Sequence, residues 1–180
     1  YNFADVRTPR GQSKKLLAPK TGKLLIKGAP ELGKLTASVI IPDTAHMAVE
    51  VIDSKYKEVT GVDIAPSKGN MLRTIDPETV PYEYGPEYQS DVFFPGKLAE
   101  MNTPYIVRDT RGQTITVYPF QYNPVTKVLR VYSDITVRVS NTGQTGQNIL
   151  TSKKNGKEIP AFRDVMDSHF VNPREAALEY

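Results

Sequence analysis

Residues 104–140, PYIVRDTRGQTITVYPFQYNPVTKVLRVYSDITVRVS, decide the fold. Within them Ile135, Val137 and Val139 alternate with Thr136, Arg138 and Ser140, and Ile115 and Val117 alternate with Thr114, Thr116 and Tyr118. Successive side chains of a strand point to opposite faces, so apolar residues recurring at every second position predict half-buried β-strands. Two turn signals divide the stretch. Asp109-Thr110-Arg111-Gly112 brings a glycine where a positive φ is wanted, and Asn123-Pro124-Val125-Thr126 places proline at the second position of a type I turn. The whole reads as an antiparallel meander of three or more strands.

Working outward, further strands are predicted at Lys23 to Ile26, Leu35 to Ile41 and Met47 to Ile52, with an extended run from Tyr56 to Ile64. Short strands at this density favour two packed sheets over a parallel α/β architecture. The expected fold is all-β, an antiparallel β-sandwich with one short C-terminal helix. That helix is placed at about 160–171. Pro160 suits a first helical turn, and Phe162, Val165, Met166 and Phe170 fall on one face. Its apolar stripe either packs on the sandwich or docks on a neighbouring domain. The polar stretch Asn141 to Gln147 reads as a linker or long loop, and the tail 172–180 as an unanchored, protease-accessible end.

At 180 residues and 39% hydrophobic, the chain can bury a proper core, and one domain spanning 1–180 is the most economical count. Fourteen prolines and twelve glycines punctuate it too often for a helical bundle. Mean hydropathy is −0.40 and no apolar run approaches a membrane-spanning length, so no membrane span is expected. Tyr1 is not an initiator methionine, and any signal peptide is expected to lie outside this sequence. Cysteine is absent, which excludes a disulfide framework, a thiolate metal site and a cysteine nucleophile within it. His46 and His169 stand far apart without a companion at ligand spacing, which argues against zinc. The basic stretch Arg7, Arg10, Lys14, Lys15, Lys20, Lys23, Lys27 and Lys34 faces only Glu31 among the acids. It lacks aromatic residues for base stacking, so it reads as solvated strand faces and no nucleic-acid partner is expected.

No catalytic constellation emerges. Two distant histidines and the lack of a nucleophile elbow leave no acyl-transfer triad, and no glycine-rich phosphate loop precedes a helix. Glu50, Asp53, Asp63, Asp76 and Glu78 are scattered among loops and strands. No cofactor is implied.

The segment that carries most functional information is Ile64 to Pro86, IAPSKGNMLRTIDPETVPYEYGP. Prolines at 66, 77, 81 and 86 fix their own φ and push each preceding residue toward extended geometry, so no long helix can form and the segment is expected to run extended. Within it Met71 and Leu72, then Thr74 and Ile75, flank a lone guanidinium on Arg73. Such a run looks like a substrate to an arginine-specific protease. On its residues alone it also has the composition of a solvated connection, and a loop acquires function only when a scaffold holds it.

Several blocks in order carry a family resemblance: Asn2-Phe3-Ala4-Asp5-Val6, the IAPSKG run from Ile64 to Gly69, Phe93-Phe94-Pro95-Gly96, Arg108-Asp109-Thr110-Arg111-Gly112-Gln113, and Gln121-Tyr122-Asn123-Pro124-Val125-Thr126-Lys127. Together they resemble the N-terminal prodomain, or propeptide, of gingipain-type cysteine proteases, closest to the arginine-specific members. The resemblance runs from Asn2 to about Phe170. It implies a secreted protein of the periplasm, cell surface or extracellular space, and a non-catalytic domain that keeps its protease latent and assists its folding. It implies as partner the catalytic domain of the cognate arginine-specific cysteine protease, with an inhibitory loop at about 65–86. By that resemblance Arg73 would enter the S1 pocket, Met71 and Leu72 would cover S3 and S2, and Thr74 and Ile75 would lie on the primed side. Arg174, the only basic residue of the tail, becomes the candidate activation cleavage point.

Two other functions fit the composition. A carbohydrate-binding module could use Tyr82, Tyr84 and Tyr88 as a stacking platform, although tryptophan is absent. A structural or adhesion domain of a secreted protein would need no site at all.

Overall fold

The computed structural model describes residues 1–151 and 160–172. It is an antiparallel β fold with one short helix, as the alternation predicts. The strands are β1 (Asn2–Thr8), β2 (Gly11–Leu17), β3 (Gly22–Lys23), β4 (Gly33–Ile40), β5 (Ala45–Thr60), β6 (Ala99–Met101), β7 (Tyr105–Val107), β8 (Thr110–Val117), β9 (Phe120–Asn123) and β10 (Val128–Thr145), followed by helix α1 (Pro160–His169). They form a β1-β2 hairpin, a sheet of order β5-β10-β9, and a sheet of order β3-β4-β8-β6 in which β7 also pairs with β8.

The chain divides into two compact units, and β4, β5 and β10 each contribute a segment to both. The first unit comprises Tyr1–Leu35, Asp53–Leu98 and Tyr118–Ile135. Its core gathers Leu16, Leu32, Val62, Ile64, Tyr88, Phe120, Tyr122 and Leu129. At its centre the Tyr122 hydroxyl donates to the Val62 carbonyl at 2.9 Å and accepts from the Ile64 amide at 3.3 Å. A phenol removed from water must keep its polar end bonded, and here it does so by gripping the backbone that leads into the 65–86 loop.

The second unit comprises Thr36–Ile52, Ala99–Val117 and Thr136–Tyr180. Val39, Met101, Ile115 and Val117 from one sheet meet Met47, Val49 and Val139 from the other, which makes this unit a two-sheet sandwich. Ile135, Val137 and Val139 are half-buried while Thr136, Arg138 and Ser140 are exposed, matching the period-two reading. A second cluster, Ile40, Met166 and Phe170 with Tyr105 and Val107, seats α1. Only half of the helix stripe is used. Met166 and Phe170 are buried, whereas Phe162 and Val165 stay exposed, with the Arg108 guanidinium 4.0 Å over the Phe162 ring.

Several local expectations shift. β7 and β8 pair antiparallel, but β8 and β9 belong to different sheets, so residues 104–140 are not one continuous meander. The chain changes sheet at Tyr118-Pro119, where proline cannot donate to a ladder. The turn expected at 109–112 falls earlier: Val107 already pairs with Thr110, Arg108 takes φ 56°, and Arg111 is a strand residue with no exposed surface. Its guanidinium donates to the carbonyls of Pro42, Ala45, Gln147 and Asn148 at 2.6–2.9 Å. Burial pulls its pKa below the usual arginine value, against the opposing attraction of Asp43. Gly112 is needed for space rather than for its φ, since a Cβ there would stand 2.5 Å from the Phe170 ring.

Elsewhere, the runs read at Met47 to Ile52 and from Tyr56 join in one strand, β5, which ends at Thr60 short of the expected Ile64, and the expected linker from Asn141 is the end of β10, which reaches Thr145. Of the strand expected at Lys23 to Ile26, only Lys23 pairs, within β3. The β1-β2 hairpin had no counterpart in the sequence reading. Its polar strands pair Asp5 with Lys14 in register, and no apolar alternation marks them. The 123–126 turn forms as expected, closed by the Asn123 side-chain carbonyl accepting from the amides of Val125 and Thr126.

Two predictions follow from this packing. Gly112→Ala should cost about 1–3 kcal/mol of stability, the usual penalty for overpacking, measured by urea unfolding monitored by circular dichroism. The second concerns alkaline pH. Burial pushes the Tyr122 phenol up to about 12 from 10.0, and raises that of Tyr88 as well. The unfolded chain then releases these protons first, so the stabilisation is complete below pH 10 and is lost as pH rises toward 12. Unfolding free energy should be flat from about pH 7 to 9 and fall beyond about 10, less steeply in Tyr122→Phe.

Candidate functional site

The loop from Ile64 to Pro86 lies wholly within the first unit. Its entry is buried: Ile64, Ala65, Pro66 and Ser67 have almost no exposed surface. Backbone bonds secure it on two sides. Lys14 donates to the Asp63 carbonyl at 2.6 Å and accepts from Ala65 at 2.8 Å, while Glu31 donates to Ala65 at 3.1 Å. Ser67 then donates to Ala29 at 2.8 Å.

Both ends of the loop converge on Gly28. Its amide donates to the Ser67 carbonyl at 2.9 Å, and its carbonyl accepts from the Gly85 amide at 2.9 Å. Only glycine suits this position. Its φ is +85°, and a Cβ would stand 3.0 Å from the Gly85 nitrogen. Lys27, next to it, pairs with Glu83 at 2.8 Å.

Between these anchors the loop is cross-braced by its own side chains. Lys68 Nζ donates to the Pro77 carbonyl at 2.7 Å and lies 4.3 Å over the Tyr82 ring, joining the outgoing and returning limbs. Asp76 caps a short 3-10 turn, Pro77–Thr79, by accepting from the Glu78 amide at 3.0 Å, and Thr79 Oγ1 donates back to the Asp76 carbonyl at 2.7 Å. The Asp-Pro-Glu-Thr sequence carries this cap and proline-start signal. The role of Lys68 has no such local signal, because its partners lie nine and fourteen residues away.

At the apex the expected extended run is instead a turn, in which the Ile75 amide donates to the Leu72 carbonyl at 3.0 Å. Arg73 and Thr74 are its central residues, so the Arg73–Thr74 peptide bond sits at the middle of a hydrogen-bonded turn. The prolines confine the limbs, but the turn hydrogen bond sets the apex. Leu72 is 73% exposed, and Arg73, Thr74 and Ile75 are exposed around it, with Met71 half-buried. The Arg73 guanidinium takes part in no hydrogen bond or ion pair among the described residues. All five residues singled out in the sequence are therefore brought together at one exposed tip. Arg174 lies outside the described residues.

The three tyrosines do not form a stacking platform. Tyr88 is buried, its hydroxyl donating to the Ile64 carbonyl at 2.7 Å, and Tyr84 meets it edge-on at 81°. The Tyr84 hydroxyl is spent on Thr8 at 2.7 Å, and the Arg10 guanidinium covers its face at 4.0 Å. Tyr82 lies under Lys68. The basic stretch is likewise partly consumed: Lys15 and Lys23 surround the buried Glu31 carboxylate, and Lys14 pairs with Asp5. His46 bonds Thr142 and His169 bonds the Tyr105 hydroxyl. Among the described residues no group of three or more His, Cys, Asp or Glu is arranged to hold a metal ion, and no helix is long and apolar enough to cross a membrane.

Among the described residues, Arg73 is thus a loop-borne arginine without a hydrogen-bond or ion-pair partner, on a braced all-β scaffold. A family model described as Propeptide_C25 matches residues 1–170, and the chain belongs to that family. It is 44% identical over 170 residues to Gingipain R1 of Porphyromonas gingivalis, a match covering 94% of this chain and 17% of that relative. Gingipain R2 of the same species, strain W83, is 42% identical over 170 residues, covering 94% of this chain and 23% of that protein. The chain thus spans less than a quarter of the length of these relatives.

Among solved structures, one described as a complex of Porphyromonas gingivalis RgpB pro- and mature domains matches with TM-score 0.86 and 40% identity, over 95% of this chain and 86% of that one. A structure addressing zymogenic latency of gingipain K shares the fold, at TM-score 0.62 and 24% identity over 78% of this chain and 80% of that one. This chain is a propeptide domain, the non-catalytic class of its family.

Because Gly28 holds both limbs, Gly28→Ala should loosen the loop base. A left-handed φ costs a non-glycine residue roughly 1–2 kcal/mol, before any contact with Gly85. The expected result is faster amide hydrogen exchange at Gly85 and Ser67, with exchange at Leu129 little changed.

Proposed function

We propose that this chain is an inhibitory prodomain that keeps a secreted, gingipain-type cysteine protease latent by placing Arg73 in its S1 pocket, and that it assists that protease in folding. The observation that carries the reading is Arg73 itself, exposed and unpaired at the tip of a loop whose two ends are bonded to one residue, Gly28. A guanidinium left free of intramolecular partners is available to a carboxylate at a pocket floor, where its planar fork makes a paired contact that lysine cannot copy. Bracing lowers the ordering cost of binding. Likeness to a structure of pro- and mature domains in complex supports the same partner class, the catalytic domain of an arginine-specific cysteine protease.

In this reading Met71 and Leu72 cover the S3 and S2 subsites, Thr74 and Ile75 lie on the primed side, and the whole of 1–180 works as one prodomain. The apical turn explains how a substrate-like loop escapes hydrolysis. A peptide bond at the centre of a hydrogen-bonded turn is held away from the extended geometry that a nucleophile attacks in line. The envelope or extracellular setting of such proteases is proposed for this chain also, and Arg174 as the activation cleavage point.

The test is titration of the domain into an active arginine-specific gingipain-type protease. Arg73→Ala should raise the inhibition constant at least tenfold, about 1.4 kcal/mol, and Arg73→Lys by a smaller factor. Unchanged inhibition by Arg73→Ala would remove Arg73 from the S1 pocket. An absence of inhibition by the unaltered domain would remove the latency role.

A further inference from the structure

The domain carries arginines besides the one its loop displays, and the fold treats them unequally. Arg7, Arg111, Arg130 and Arg138 lie in strands and Arg163 in α1, where the backbone is already engaged. A protease takes its substrate as an extended strand and needs backbone groups that are free. Three other described arginines are exposed and stand in turns: Arg10 between β1 and β2, Arg73 at the loop apex, and Arg108 between β7 and β8. Their backbone settings are alike, but their guanidinium groups are not.

The Arg10 guanidinium lies 4.0 Å over the Tyr84 ring and 5.8 Å from that of Tyr88. The turn beneath it is tied to the same tyrosine. The Tyr84 hydroxyl donates to Thr8 Oγ1 at 2.7 Å, and that oxygen donates to the Gly11 carbonyl at 3.0 Å and accepts from the Arg10 amide at 3.3 Å. Arg108 has an unrelated cover. Its guanidinium lies 4.0 Å over the ring of Phe162, which stands outside the cluster of Ile40, Met166 and Phe170 that seats α1. Packing of the helix therefore leaves the Phe162 ring, 40% exposed, without a task, and the cover on Arg108 supplies one. Arg73, by contrast, has neither a ring nor a hydrogen-bond or ion-pair partner among the described residues.

We infer that Tyr84 and Phe162 are specificity-determining covers, which occupy the guanidinium groups of Arg10 and Arg108 so that Arg73 is the turn-borne arginine offered to a protease. The inference rests on the reading of the partner as an arginine-specific protease and adds to it how such a partner is directed to Arg73. An aromatic face and a carboxylate at a pocket floor compete for the same cation, so a covered arginine must leave its ring before it enters an S1 pocket. An exposed contact of this kind lowers the fraction of free guanidinium by about two- to fivefold. It acts on top of the resistance of the turn itself, since side chain and backbone must both be released for cleavage. The two covers are independent, because Arg10 and Tyr84 belong to the first unit and Arg108 and Phe162 to the second.

The experiment uses the full chain with trypsin as the probe, so that its result does not depend on inhibition of any gingipain-type protease. New chain ends at Gly11 and Asp109 are followed by mass spectrometry at low conversion. Phe162→Ala should raise the rate at the Arg108–Asp109 bond about two- to fivefold and leave the Arg10–Gly11 bond unchanged. Tyr84→Leu should do the reverse. Variants that keep a ring serve as rescues: Phe162→Tyr should match the unaltered chain at Arg108, and Tyr84→Phe should stay closer to it at Arg10 than Tyr84→Leu does.

Hydrogen exchange distinguishes an uncovered side chain from an opened hairpin. In Phe162→Ala the amides of β7 and β8 should exchange as in the unaltered chain. Cleavage at Arg108 and Arg10 no faster in Phe162→Ala and Tyr84→Leu than in the unaltered chain would overturn the covers. Acceleration of both turns by either variant would overturn them as well, since that is general loosening, and so would faster exchange along β7 and β8 in Phe162→Ala.

Discussion

Gly28 is the constraint on which the long loop from Ile64 to Pro86 depends. Its amide and carbonyl hold the outgoing and returning limbs of a long loop at Ser67 and Gly85, so one residue sets where both limbs leave the scaffold. The geometry works because the position has no side chain: a positive φ and a 3.0 Å approach to Gly85 leave no room for one. Behind it, the Tyr122 hydroxyl ties Val62 and Ile64 to the core of the first unit, so the segment leading into the loop is fixed before the loop begins. Precision at the tip is inherited from these bonds, since a side chain is no better placed than the backbone that carries it.

The loop is stiff for several unrelated reasons. Proline removes backbone freedom at four positions, the Lys68 ammonium links two limbs, Asp76 caps a short turn, and a backbone hydrogen bond closes the apex. None of these exceeds an ordinary hydrogen bond or surface contact in strength, and Lys68 and Asp76 are solvent-accessible enough that each contributes modestly. Their effect lies in acting on different torsions of the same short segment. Arginine at the apex is the exception among these residues, because nothing in the described chain satisfies it.

The second unit handles its polar groups differently. Arg111 is buried, and its guanidinium makes four hydrogen bonds to backbone carbonyls of two chain segments. Asn172 uses the same device at the strand edge, pairing a side-chain amide with a backbone residue. In both cases a planar side chain with fixed donor directions substitutes for a strand where the sheet has run out.

What the sequence by itself determined is the strand character of the chain and the identity of the loop. Alternation at 135–140, the prolines of 66–86 and the lone arginine among apolar neighbours are local properties, and local sterics and solvation are enough to read them. Tertiary structure decided what depends on partners distant in sequence. Arg111 stands in a segment with the composition of a turn, yet it is buried in a strand because four carbonyls from elsewhere in the chain surround it. The β1-β2 hairpin lacks alternation because its polar strands are held by pairing and by cross-strand charges such as Asp5 with Lys14. Tyr82, Tyr84 and Tyr88 look like a platform at their spacing, but burial and the bonds to Lys68, Thr8 and Ile64 turn each to a different task. The Arg73 apex lies between these cases. Its residues were legible in order, but the turn that bends them, closed by the Ile75 amide on the Leu72 carbonyl, was not.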